Sequence, residues 1–165
     1  MSHSDVNDTY LISCQAKIVA PEDVSARSVL LKAEGKTIAT LNGSFDLLHA
    51  GHLEILYQAS LQADVLWVAL NTDDSIRKYK SLSRPIIPLE YRVQLRCALE
   101  MVDYVTLFVE PDPCAVLEKI RPNVHVNGAE YGPDCIEAGT VKKNGGRIHI
   151  VEKIPSLSTS AVLAK

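Results

Sequence analysis

Apolar positions along this chain follow two periods that take turns. Thr37–Leu41 (TIATL), Val65–Leu70 (VLWVAL), Tyr104–Val109, Val124–Val126 and Arg147–Val151 (RIHIV) are short and β-prone, and they predict five strands. VLWVAL is almost wholly apolar, as expected for a strand covered on both faces. Between these runs the spacing becomes helical. Leu53, Leu56, Tyr57 and Ser60 recur at i, i+3, i+4 and i+7 within a helix predicted over His49–Gln62. Further helices are predicted over Pro21–Glu34, Asp73–Tyr79, Leu89–Met101, Pro113–Ile120, Ile136–Asn144 and Ser158–Lys165. Pro21 suits a first turn and Gly35 a stop, Asp73 lies near the cap of its helix, and Ser158 begins the last one as a Ser/Thr cap.

Strand and helix therefore alternate about five times. That order implies an α/β fold: a Rossmann-like, open, mostly parallel five-stranded sheet with helices on both faces. Ser81–Pro88, with two prolines, is read as a loop. Residues 1–15 show no clear period and are expected to be loose, leaving 16–165 as a single domain. Ligands of such sheets bind beyond the carboxyl ends of the strands, at the point where the strand order reverses. The residues just after each strand are thus the ones to inspect.

Composition narrows the classes. The chain has 165 residues, 47% hydrophobic and 22% charged, enough for one ordinary core without staples. The net charge of −3 disfavours polyanions, so no nucleic-acid partner is expected. No run approaches 18 apolar residues, and the polar first nine residues resemble neither a signal nor a transit peptide, so a cytoplasmic protein without a membrane partner is expected. Cys14, Cys97, Cys114 and Cys135 form no C-x-x-C pair and are read as reduced thiols.

Two phosphate-binding motifs fail on inspection. Gly35-Lys36-Thr37 ends like a P-loop, but the required earlier glycine is Leu30 and the lysine precedes the strand. No G-x-G-x-x-G comes after the first strand. The strand leads instead into Asn42-Gly43-Ser44-Phe45-Asp46-Leu47-Leu48-His49-Ala50-Gly51-His52. His49 and His52 share one face of a helix start, where free backbone N–H groups and the helix dipole favour phosphate. Gly43 permits a tight turn, and Gly51 a close approach of phosphate to the helix. Two imidazoles there can donate to phosphate oxygens as charge builds. A two-histidine metal site and a pair of solvated histidines are the other readings of the spacing, although no third-ligand cluster accompanies it. Trp67, His125 and His149 sit in strand patterns and are read as core or structural.

The run N-G-S-F-D-L-L-H-A-G-H resembles the H-x-G-H signature of the cytidylyltransferase-like nucleotidyltransferases, and the resemblance extends along nearly all of the chain after about residue 17. Lys80-Ser81-Leu82-Ser83-Arg84-Pro85 resembles that family's K-G-x-x-R-P loop. Tyr91-Arg92, Ala98-Leu99 and Val102-Asp103-Tyr104-Val105 resemble its R…A-L…V-D-x-V unit. Asn127-Gly128-Ala129-Glu130-Tyr131 resembles K-G-G-D-Y, and Ser158-Thr159-Ser160 the S-T-T before the last helix. Ser81, Asn127, Ala129 and Glu130 depart from the pattern, the last three in the loop expected to face the base or substrate. The helix through Lys143 and Gly145-Gly146 is similar to the connection in the family's ADP-heptose-forming branch.

The resemblance implies transfer of AMP from ATP to a sugar 1-phosphate, D-glycero-β-D-manno-heptose 1-phosphate in that branch, with release of pyrophosphate. It implies His49, His52 and Lys80 as catalytic groups. It assigns the nucleotide to Asn42, Gly43, Ser44, Phe45, Gly51, Arg92, Asn127, Gly128, Glu130, Ser158, Thr159 and Ser160, and the substrate to Asp46, Arg84 and Tyr131. For Asp46 the preferred reading is that it orders its turn by accepting backbone N–H bonds. Mg²⁺ is expected on the triphosphate rather than on protein side chains. A homo-oligomer, most simply a dimer, is implied, as is a separate kinase to supply the acceptor. A CTP-dependent enzyme acting on glycerol 3-phosphate or a similar alcohol phosphate shares every phosphate-handling residue; a non-catalytic nucleotide sensor is the third class.

Overall fold

A computed structural model describes residues 3–152. The helix expected over 158–165, with Ser158, Thr159 and Ser160, lies outside the described residues. The elements run α1 (His3–Lys17), α2 (Val24–Ala33), β1 (Ile38–Gly43), α3 (Ala50–Ser60), β2 (Val65–Asn71), α4 (Asp73–Tyr79), α5 (Leu89–Cys97), β3 (Tyr104–Phe108), α6 (Cys114–Ile120), β4 (Val124–Gly128), α7 (Ala138–Lys143) and β5 (Arg147–Val151). All strand pairs are parallel, in the order β3-β2-β1-β4-β5. The order reverses between β1 and β4, so the expected ligand position lies beyond their carboxyl ends.

Strand periodicity divides the core into two layers. Leu66, Val68 and Leu70 of β2 face one side, with Leu56 and Ala59 of α3, Cys97 of α5 and Cys14 of α1. Val65, Trp67 and Ala69 face the other, with Leu31 of α2 and Val116 and Ile120 of α6. Every residue of β2 is buried, which explains its unbroken apolar run.

Three elements depart from their sequence patterns. Residues 3–15, within the segment expected to be loose, belong to helix α1. Its last turns are anchored: Cys14 is buried, and Lys17 Nζ donates to the Leu99 carbonyl at 2.9 Å. Both contacts are to segments far off in sequence, which local periodicity does not reveal. Helix α5 stops at Cys97, short of Met101, because the chain must turn into β3. Asp103 makes that turn, its N–H donating to Leu66 O and its carboxylate accepting from Leu66 N at 2.8 Å. Helix α4 is capped by Thr72, whose hydroxyl accepts from Ser75 N, rather than by Asp73. Asp73 thereby falls in the first turn and is free for a longer-range partner.

Leu56 is fully buried and ties α3 to the sheet. Leu56→Ala should lower unfolding free energy by about 2–5 kcal/mol, read from urea denaturation; a loss below about 1 kcal/mol would mean that α3 is not held by this contact.

Candidate active site

Strand β1 ends in Asn42-Gly43, and the chain then crosses the sheet edge before entering α3. Phe45 holds this crossing in the left-handed region, at φ 45°, a conformation that costs an L-residue about 1–2 kcal/mol. His49 is the N-cap of α3, and its Nδ1 accepts from His52 N at 3.3 Å. With Nδ1 an acceptor, the neutral ring carries its proton on Nε2. His52 stacks on His49 with centroids 3.8 Å apart and planes 17° apart. On its other side the Phe45 ring lies 5.1 Å from His52. Gly51 lies between the histidines in the first turn.

Burial, then the neighbouring His49, Arg96 and Lys80 charges, pull the pKa of His52 from 6.5 to about 4. Burial and Arg96 lower that of His49 as well. Both rings are therefore neutral hydrogen-bond donors near pH 7, which selects against a pair of protonated surface histidines. Among the described residues no group of three His, Cys, Asp or Glu side chains is arranged to hold a metal ion.

The loop after α4 closes the other flank. Lys80 is the C-cap of α4, and its ammonium donates to Ser44 Oγ at 2.8 Å, which brings it to the end of β1. Asp46, 2% exposed, bonds Arg84 Nη1 at 2.7 Å and accepts from Ile86 N and Ile87 N at 2.8 and 2.9 Å. Asp46 does order backbone, as its turn-forming residue type suggests, but the backbone is that of the 84–87 loop rather than its own turn. Burial opposes its charge, yet these two N–H groups and Arg84 outweigh that and hold the carboxyl below its usual pKa. Arg84 is thereby engaged within the protein.

Arg92, expected at the nucleotide, is fully buried. Its guanidinium donates to Ser44 O at 2.7 Å, Asn71 O at 2.8 Å, Asp73 Oδ1 at 2.7 Å and Ile87 O at 3.1 Å. Its role there is to fasten the ends of β1 and β2 to the loop. Sequence reasoning missed Arg96, one turn further along α5, which is also fully buried and donates to Phe45 O at 2.7 Å. Arginines four apart suggest a solvated stripe; no local signal marks this one as inward-facing.

Across the reversal point, Asn127 and Gly128 end β4. Asn127 is buried and donates to Glu137 Oε2 at 3.3 Å, another contact that no spacing predicts. The Glu130 carboxylate folds over Gly128, where a β-carbon would collide with it. Tyr131 is exposed. Among the described residues no hydrogen bond joins this group to the histidines. His125, expected to be structural, is buried, with Nδ1 2.8 Å from Thr40 Oγ1; Nε2 lacks a partner among the described residues.

The parallel five-stranded sheet and the stacked histidine pair at the helix following β1 define an α/β domain with its candidate site at the carboxyl end of the first strand. The chain belongs to the cytidylyltransferase-like family, whose model matches residues 40–161. It is 40% identical over 149 residues to the bifunctional protein HldE of Azorhizobium caulinodans, covering 90% of this chain and 31% of that protein. Identity to the bifunctional protein HldE of Geobacter metallireducens is 38%, over 81% of this chain and 28% of the relative. The chain thus spans about a third of the length of these curated relatives. Among solved structures it is similar to the lipopolysaccharide core biosynthesis protein of Thermoplasma volcanium, with a TM-score of 0.59 and 27% identity over 73% of this chain and 98% of that one. The fold is also shared with pantoate-β-alanine ligase of Francisella tularensis, with a TM-score of 0.60 and 17% identity over 86% of this chain and 70% of that one. No helix among the described residues is long and apolar enough to cross a membrane.

The depressed pKa of His52 makes stability depend on pH. In the unfolded chain this side chain takes up its proton near 6.5, in the folded protein only near 4. Between those values the unfolded state binds the extra proton, so the contribution is full above pH 6.5 and lost as pH falls toward about 4. Tm should decline more steeply across that window in the wild type than in His52→Asn; equal slopes would contradict the burial of a neutral ring.

Proposed function

We propose that this chain transfers AMP from ATP to a sugar 1-phosphate, with the heptose 1-phosphate acceptor favoured, giving ADP-heptose and pyrophosphate. The observation that carries the reading is the stacked, neutral His49–His52 pair at the start of α3, with Lys80 drawn to the same strand end through Ser44. The choice of acceptor rests on the likeness of the 131–147 connection to the ADP-heptose-forming branch. The similarity to a lipopolysaccharide core biosynthesis protein supports it.

In this reading an acceptor phosphate oxygen attacks the α-phosphorus in line. A new P–O bond forms, the bond to the bridging oxygen breaks, and the electron pair leaves with pyrophosphate. The nucleophile is already an anion, so no protein base is required. His49 donates from Nε2–H to a phosphate oxygen, and His52 donates beside it. Lys80 offsets charge on the leaving group. Such positioned donors act where charge develops and need no reorganisation. Mg²⁺ would come bound to ATP, since the Asp46 carboxylate already serves Arg84 and two backbone N–H groups. Asn127, Gly128 and Glu130, at the end of β4, are assigned to the base side.

Pyrophosphate release should be measured with ATP and CTP against heptose 1-phosphate, other sugar 1-phosphates and glycerol 3-phosphate. ATP should exceed CTP by at least about tenfold with the right acceptor, since a mispaired donor or acceptor at the base costs ~1–3 kcal/mol. Preference for CTP with every acceptor would replace the adenylyl assignment, and binding without release would favour a sensor.

His52→Ala should reduce kcat by about 10²–10³ while leaving the circular dichroism spectrum unchanged. Activity within threefold of wild type would remove His52 from the mechanism. Lys80→Met should weaken nucleotide binding and slow transfer together, seen as a rise in KM with a fall in kcat.

A further inference from the structure

Arg96 is used by none of the steps above, and its position is costly. It is 0% exposed, and among the described residues Nη2 alone of its three nitrogens has a partner, the Phe45 carbonyl at 2.7 Å. Nε and Nη1 are buried with no partner among the described residues. A buried cation with unpaired donors disfavours folding, and an apolar side chain of similar volume often does better. Packing alone therefore gives no reason for an arginine at this place.

The geometry around it supplies one. The guanidinium carbon lies 4.8 Å from the centroid of the Phe45 ring. That ring meets His52 at a tilt of 58°, and His52 stacks on His49. Four side chains from three parts of the fold thus form one chain of contacts: Arg96 of α5, Phe45 of the crossing, then His52 and His49 of α3. Arg96 holds both the ring of Phe45, by the cation over its face, and its carbonyl, at the one residue of the crossing in the left-handed region.

We infer that Arg96 is a positioning residue for the histidine pair: it fixes Phe45, and through Phe45 the orientation and neutral state in which His52 and His49 meet a phosphate. The inference rests on the nucleotidyl-transfer reading for its consequence, but the contacts stand without it. The charged and titratable groups that face His52 are His49 on its own helix, Arg96 on α5 and Lys80 at the end of α4. Of these, Arg96 is the permanently charged group sealed from solvent. Its charge opposes protonation of both imidazoles, an effect that water does not screen away.

The test uses two variants and a readout independent of turnover. Arg96→Met removes the charge and the bond to Phe45 while keeping volume; Arg96→Lys keeps a charge. Histidine Hε1 signals of the free protein, followed by NMR from pH 7.5 to 4, give the His52 midpoint. In Arg96→Met this midpoint should rise by about 0.5 or more, and the acid limb of kcat/KM should move up with it. kcat/KM at pH 7.5 should fall roughly ten- to hundredfold from misplacement of the pair, while Tm is unchanged or higher. Arg96→Lys should return the midpoint toward the wild-type value.

An unchanged His52 midpoint in Arg96→Met, or kcat/KM within threefold of wild type, would overturn the inference. So would a wild-type midpoint near 6.5, which decides the matter even if Arg96→Met does not fold. Wild-type protein that titrates as expected but turns over no nucleotide with any acceptor would instead overturn the proposed reaction and leave the placement of Arg96 standing.

Discussion

The carboxyl edge of this sheet is organised around one buried guanidinium. Arg92 donates to the carbonyls of Ser44 and Asn71, which follow β1 and end β2, to the Ile87 carbonyl of the loop and to the Asp73 carboxylate of α4. Backbone carbonyls at strand ends have no ladder partner and need a donor when buried. A single planar group with several fixed N–H vectors meets that need for two strands together, which a lysine does not. Removing one partner of such a buried pair typically costs about 3–5 kcal/mol. The crossing after β1, which carries Phe45, and the loop that carries Arg84 are fixed relative to each other through this contact. Ser44, the hydroxyl partner of Lys80, is fixed with them.

On that frame the histidine pair is kept uncharged by its surroundings. Burial removes the solvent that would favour an imidazolium, and Arg96 and Lys80 add like charge nearby. A neutral ring has one donor and one acceptor, so the bond from His52 N to His49 Nδ1 determines which nitrogen of His49 faces a ligand. Electrostatics and tautomer are thus set by the same cap that starts α3.

The opposite flank is built differently. Asn127 and Glu137 form a buried polar pair near the end of β4, and Glu130 covers Gly128. In place of a cationic edge, this side presents an amide and a carboxylate. That chemistry suits the edge of a neutral base better than a phosphate, which is why the proposed function gives the base to this side.

The order of elements, the parallel sheet and the H-x-G-H helix start were legible along the chain, because each rests on local periodicity and local turn chemistry. VLWVAL is a strand buried on both faces whatever its partners are, and His49 caps a helix because of the residues around it. Lys80 and Asp46 also came forward as site candidates through their likeness to family motifs. What each of them does emerged with the packing of the folded chain. Asp46 reaches across 40 residues to the 84–87 loop, Arg92 turns inward to serve strand ends, and Arg96 lies beneath Phe45. Asn127 finds Glu137, and Lys17 at the end of α1 finds the Leu99 carbonyl. Each of these is a contact between residues apart in sequence, made where a buried polar group requires a partner. Spacing along the chain carries no record of which other segment will supply it.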